Sequence, residues 1–111
     1  MRSYVIEEIH PDSVRRLCAY LEREGYKGPI EDIYWFELPR ELYTQGQEEH
    51  RGDCGPYFLS LETGASWIKL ELLIRARSRL RCSCIAYATP EQRARFIDWL
   101  DSVLRNLDIS V

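Results

Sequence analysis

The chain has 111 residues, 45% of them hydrophobic and 30% charged, with 15 Lys+Arg against 18 Asp+Glu for a formal net charge of −3. That length suits one domain and leaves no room for two cores, and the acidic balance argues against a general nucleic-acid binder. No run of 18 apolar residues exists to form a membrane-spanning helix, and Glu7-Glu8 interrupts any signal-peptide core, so a cytoplasmic protein is expected.

In chain order, the first helix is expected from His10-Pro11-Asp12-Ser13, where Asp12 or Ser13 can accept bonds from the free amides of the opening turn. Val14, Leu17, Cys18 and Leu21 follow at helical spacing, and Gly25 offers the left-handed residue that ends the helix. Ile30 to Leu38, centred on Tyr34-Trp35-Phe36, reads as a strand because aromatics favour a pleated surface. Pro39 closes it, and Arg40 to Tyr43 suits a single helical turn. Residues Thr44 to Pro56 are polar and Gly-containing, and are read as a long loop of the kind that often carries function.

Three strand-like runs come next, Tyr57 to Glu62, Trp67 to Arg77 and Leu80 to Ala88, joined by turns at Thr63–Ser66 and Ser78-Arg79. Two-residue alternation places Ile68, Leu70, Leu72, Ile74 and Ala76 on one face, with Leu80, Cys82, Cys84, Ala86 and Ala88 beside them. The last helix carries the strongest start signal. Thr89-Pro90-Glu91-Gln92 combines a capping threonine, a proline at the first helical position and a glutamine that reaches back. Phe96, Ile97, Leu100, Val103, Leu104 and Leu107 form its apolar stripe. The expected fold is a two-layer α+β sandwich, α-β-β-β-β-α, a four-stranded antiparallel meander with the N- and C-terminal helices on one face.

Four cysteines carry the sharpest chemistry. With no export signal, Cys18, Cys54, Cys82 and Cys84 are expected as reduced thiols, Cys18 in a helix seam. On one strand, Cys82 and Cys84 would have Cα atoms roughly 6.5 Å apart with parallel Cβ vectors, which is wrong for a disulfide. One imidazole and three thiols from His50, Cys54, Cys82 and Cys84 would suit tetrahedral zinc, although neither pair has the usual knuckle spacing. His50 and Cys54 alone could instead form a base and a thiol nucleophile, provided they lie within hydrogen-bond reach. Cys54-Gly55-Pro56-Tyr57 resembles the C-G-P-C motif of the thioredoxin superfamily with its second cysteine replaced by tyrosine. That redox motif opens a helix, whereas Phe58-Leu59-Ser60-Leu61-Glu62 reads as a strand, so a Gly-Pro turn into a strand is expected.

Two further surfaces complete the reading. Arg75, Arg77, Arg79 and Arg81 crowd the last hairpin, in a region (55–111) with eight basic and six acidic residues, against seven and twelve in 1–54. They are a candidate anion or phosphate-backbone site, or charges that discourage edge pairing. The sheet face away from the helices is expected to carry Trp67, Leu73, Ile85 and Tyr87 and to bind a protein partner, possibly a second copy. No acid/base pair stands in a recognisable arrangement, so a non-catalytic interaction module is the leading expectation. A metal- or thiol-bearing protein and an anion or nucleic-acid binder are the alternatives.

Overall fold

The computed structural model describes residues 1–111 as an α+β fold with antiparallel strands. β1 (Ser3–Ile6) precedes α1 (Pro11–Arg23), and β2 (Ile33–Glu37) is followed by a 3-10 turn at Arg40–Leu42. Two short helices, α2 (Gln45–Glu49) and α3 (Arg51–Cys54), lead to β3 (Tyr57–Thr63), β4 (Ile68–Glu71), β5 (Leu73–Ala76) and β6 (Ala86–Tyr87). The long helix α4 (Pro90–Asn106) comes last.

The expected meander is present: β2 pairs with β3, β3 with β4 and β5, and β5 with β6, all antiparallel. Its third strand is divided. Pairings Leu61↔Leu70 and Phe58↔Arg75 set the residues 71–74 against only 59 and 60, so the β4–β5 strand bulges by two residues at its centre. An even shift keeps side-chain alternation intact, which is why Ile68, Leu70, Leu72, Ile74 and Ala76 are all buried. At the bulge Leu72 donates to Arg2 O and accepts from Ala88 N–H, joining β1 and β6 along the same outer edge. β1 itself, paired with β4, is an addition to the expected strands, because four residues carry too little pattern to announce one.

Val14, Leu17 and Leu21 of α1 and Phe96, Leu100, Val103 and Leu104 of α4 share one apolar core with Leu59, Leu61, Leu70 and Ile74. The two helices therefore cover one sheet face. The reverse face carries Trp35 against Phe58, ring centroids 4.2 Å apart, with exposed Glu62, Lys69 and Arg75 around them. α1 is capped two residues before Asp12, the earlier of the two capping residues the sequence suggests: its N-cap is His10, whose Nδ1 accepts from Asp12 N–H at 3.1 Å. Gly25 follows the helix with φ +85°, the left-handed residue expected there. At the β3–β4 turn Gly64 is required sterically, since a Cβ there would lie 2.2 Å from the Trp67 ring.

Two expectations are corrected. The segment from Thr44 to Pro56 is not a loop but contains α2 and α3. Thr44 caps α2 through a reciprocal box, its Oγ1 accepting from Gln47 N–H at 3.2 Å and Gln47 Oε1 accepting from Thr44 N–H at 2.9 Å. Leu80 to Ala88 is not a full strand either. Only Ala86–Tyr87 pairs, and the preceding residues form an irregular excursion in which Ile85 N–H turns back to Cys82 O at 3.0 Å. Cys82 and Cys84 thus stand in a turn rather than on one strand face. No helix is long and apolar enough to cross a membrane.

Candidate metal centre

The turn that breaks the expected strand also decides where its cysteines go. Ser78 N–H donates to Cys54 O at 3.0 Å and Ser78 Oγ to Gly55 O at 3.0 Å, pinning the excursion to the end of α3. Cys82 and Cys84 then meet Cys54, the last residue of α3, and His50, which lies between α2 and α3. One ligand atom from each of His50, Cys54, Cys82 and Cys84 lies within 4.8 Å of all the others. In a tetrahedral zinc–thiolate site, metal–sulfur bonds of about 2.3 Å place the sulfurs roughly 3.8 Å apart. The four donors need only a small contraction to reach that geometry.

The chemistry of the set is graded. Cys54 and Cys84 are buried, while Cys82 and His50 are half-buried at the solvent side. His50 Nδ1 stands 3.0 Å from Cys82 Sγ, so the imidazole faces Cys82 rather than Cys54. The imidazole–thiol hydrogen bond is therefore made to Cys82 and not to Cys54, the thiol expected as its partner. Cys84 N–H donates to Cys82 Sγ at 3.5 Å. This amide, followed by the Cys84 side chain, draws the Cys82 thiol down to about 6, with Cys54 and His50 adding to the effect. Burial, followed by the Cys82 and Cys84 sulfurs, pushes Cys54 up to about 12. Burial also raises the Tyr57 phenol, with Cys84 the next cause. All four cysteines are free thiols, and Cys18 stands apart with its Sγ 3.6 Å from Thr63 Oγ1.

Cys54-Gly55-Pro56-Tyr57 runs from the end of α3 into β3. Its thiol sits at a helix C-terminus, opposite to the position that activates the thioredoxin-type cysteine.

The other candidate residues are dispersed. Arg75 pairs with Glu71 at 2.9 Å, Arg77 lies 5.0 Å over the Trp35 ring, and Arg79 and Arg81 are exposed on the excursion. Of the interface candidates, Trp67 precedes β4 and packs at Gly64, and Leu73 is half-buried on β5. Ile85 packs against the core, and Tyr87 is 43% exposed beneath the Arg2 guanidinium.

Sequence reasoning found Gln92 as a helix cap but missed Gln47 and the link between the two. Both are 2% exposed, and Gln92 Nε2 donates to Gln47 Oε1 at 3.0 Å and to Leu42 O at 2.8 Å. Tyr57 O–H donates to Gln47 O at 2.8 Å. The signal for Gln47 was present, since Thr44-Gln45-Gly46-Gln47 repeats the spacing that marks Thr89 to Gln92. No protein-family model matches this chain, and no curated protein or solved structure is significantly similar to it.

Proposed function

We propose that the protein is a zinc-binding domain in which His50, Cys54, Cys82 and Cys84 hold one ion in a structural site of one histidine and three cysteines. The observation that carries this reading is the convergence, within 4.8 Å, of four donor atoms from two distant chain segments. Three thiolates and one imidazole match zinc in softness and number. Four protein donors complete a tetrahedron and leave no open position for a substrate or an activated water, which favours a structural over a hydrolytic role. The ion would tie the Arg77–Ile85 excursion, with its exposed Arg79, Leu80 and Arg81, to the end of α3. Three thiolates against a divalent ion leave a single net negative charge on the loaded site, and the half-buried edge at His50 and Cys82 lets that charge face water.

Elemental analysis of protein purified without chelator tests the proposal. One zinc per chain is expected, together with an intense thiolate-to-metal absorption after replacement by Co2+. Protein that carries no metal, and takes up neither zinc nor cobalt when reduced, would overturn it.

A further inference from the structure

Metal sites depend on what holds their ligands as much as on the ligands themselves. Here the two ligand-bearing segments are joined a second time, away from the sulfurs. Gln47 lies three residues before His50 on α2, and Gln92 lies eight residues after Cys84 in the first turn of α4. Each is the reaching member of a capping box: Gln47 Oε1 accepts from Thr44 N–H at 2.9 Å and Gln92 Oε1 from Thr89 N–H at 3.0 Å. Gln92 Nε2 then links the boxes, donating to Gln47 Oε1 at 3.0 Å. We infer that this buried Gln47–Gln92 bond positions His50 for the metal and makes the site preorganised; the inference rests on the zinc reading above.

Three physical arguments support it. A helix of five residues cannot stand alone, so α2 takes its place entirely from its attachments. The buried ones converge on Gln47: the Thr44 box, the Gln92 amide, and the Tyr57 O–H on its carbonyl at 2.8 Å, while an exposed Arg40–Glu48 pair at 2.6 Å adds a tie to the 3-10 turn. Next, the amide orientations are forced. Thr44 N–H and Leu42 O each admit only one partner type, so Gln47 must present oxygen and Gln92 must present nitrogen. Finally, the bond is buried, and every buried side-chain nitrogen and oxygen in the protein is hydrogen-bonded, so losing one partner leaves the other unsatisfied. His50 itself continues into the next turn, its carbonyl accepting from Cys54 N–H at 2.9 Å. A shift in α2 is therefore felt first at His50, which closes that helix, while Cys54 keeps its own place at the end of α3 beside the Ser78 amide.

The forced orientations predict an asymmetry. Gln47→Glu keeps the acceptor that Thr44 and Gln92 need, and a carboxylate is the other residue favoured at that box position. Gln92→Glu removes both donors and sets a carboxylate against Leu42 O and Gln47 Oε1.

The test is competition titration of zinc against a chromophoric chelator, with the Co2+ spectrum as a second readout. Gln47→Met should weaken zinc about tenfold, the low end of the range for lost outer partners of metal ligands, because Gln47 reaches His50 through the α2 backbone rather than by a bond to its ring. Its Co2+ bands should move toward those of the His50→Ala variant. Gln47→Glu should stay close to the parent, and Gln92→Glu should bind more weakly than Gln47→Glu. In a His50→Ala background Gln47→Met should cost little more, because the residue acts through the imidazole. Equal zinc affinity in Gln47→Met and the parent, or the same fold-loss with and without His50, would overturn the inference. If Gln47→Met does not fold, Thr44→Ala, which trims the same cap more gently, carries the same cross with His50→Ala. Parent protein that binds no zinc or cobalt defeats the metal reading itself, whereas parent binding without these differences defeats only the positioning role.

Discussion

The same four-residue device, Thr-x-x-Gln, opens two helices of very different fate. At Thr89 it starts α4, 17 residues long, with Phe96, Leu100, Val103 and Leu104 buried in the core. At Thr44 it starts α2, five residues long, whose only buried residue is the capping Gln47. A cap satisfies the free amides of a first turn, but an apolar stripe decides whether further turns follow. The α4 end of the molecule thus stands on packing, and the α2–α3 corner stands on hydrogen bonds and, in our reading, on zinc. Mutations and conditions should separate the two.

The largest separation should come from metal removal. An ion present at about a thousand times its dissociation constant stabilises the folded state by about 4 kcal/mol. For a domain of this size each kcal/mol moves Tm by roughly 4–8 °C. Chelation should therefore lower Tm by on the order of 15–30 °C, measured by calorimetry, while far-UV dichroism keeps the signal of α1 and α4. An unchanged Tm after chelation would mean that the corner carries no ion.

Leu100→Ala probes the other end. Leu100 is fully buried in the core with Leu17 and Leu59. Truncation should cost about 2–5 kcal/mol through lost burial and the cavity left behind, read by urea unfolding. Zinc stoichiometry should stay at one per chain, because none of the four donors lies on α4.

Acid should act on the corner alone. Zinc needs its sulfurs as thiolates. Cys54, held near 12, keeps its proton at neutral pH, whereas Cys82, drawn to about 6, has already lost its own. Binding between those values releases at least the Cys54 proton, so affinity should fall at least about tenfold for each unit of acidification. Below about 6 the Cys82 proton must also be displaced, and the slope should steepen by at least one further power, since the imidazole ligand must likewise be free of its proton to bind. Competition titrations from about pH 8 to about pH 5 read both effects. A flat profile would show that Cys54 is not a ligand.

This division also explains what could be read from the sequence. Periodicity reports burial, so α1, α4 and the buried faces of β3, β4 and β5 were legible, down to the alternation from Ile68 to Ala76. The metal corner has almost no periodicity. Its residues were recognisable by type, as His50, Cys54, Cys82 and Cys84, but their convergence was not, because it depends on a turn at Cys82–Ile85 that interrupts a run resembling a strand. The alternating Cys-Ser-Cys pattern signalled the wrong geometry, since metal ligands can also alternate when a tight turn folds them inward. The Gln47–Gln92 bond links residues 45 positions apart and leaves no local trace. β1 was lost for the opposite reason, being too short to show its period.

The smallest effect distinguishes the two caps themselves. Thr44→Ala and Thr89→Ala each remove one side-chain acceptor from a first-turn amide, at 3.2 Å from Gln47 N–H and 3.1 Å from Gln92 N–H. Each should cost about 1 kcal/mol, the usual value of an N-cap hydroxyl. Where that loss appears should differ. α4 is integral to the core, so the Thr89 cap should register in global unfolding with zinc affinity nearly unchanged. α2 is held only at its attachments, so the Thr44 cap should be lost through local opening, which lowers zinc affinity several-fold before the core responds. Amide exchange in reduced, metal-free protein gives the same comparison without the ion. Residues of α2 and α3 should exchange faster in Thr44→Ala than in the parent, while the centre of α4 exchanges at the parental rate. If Thr44→Ala instead accelerates exchange throughout α4, the corner and the core open as one unit and the two ends of the molecule are not energetically separate.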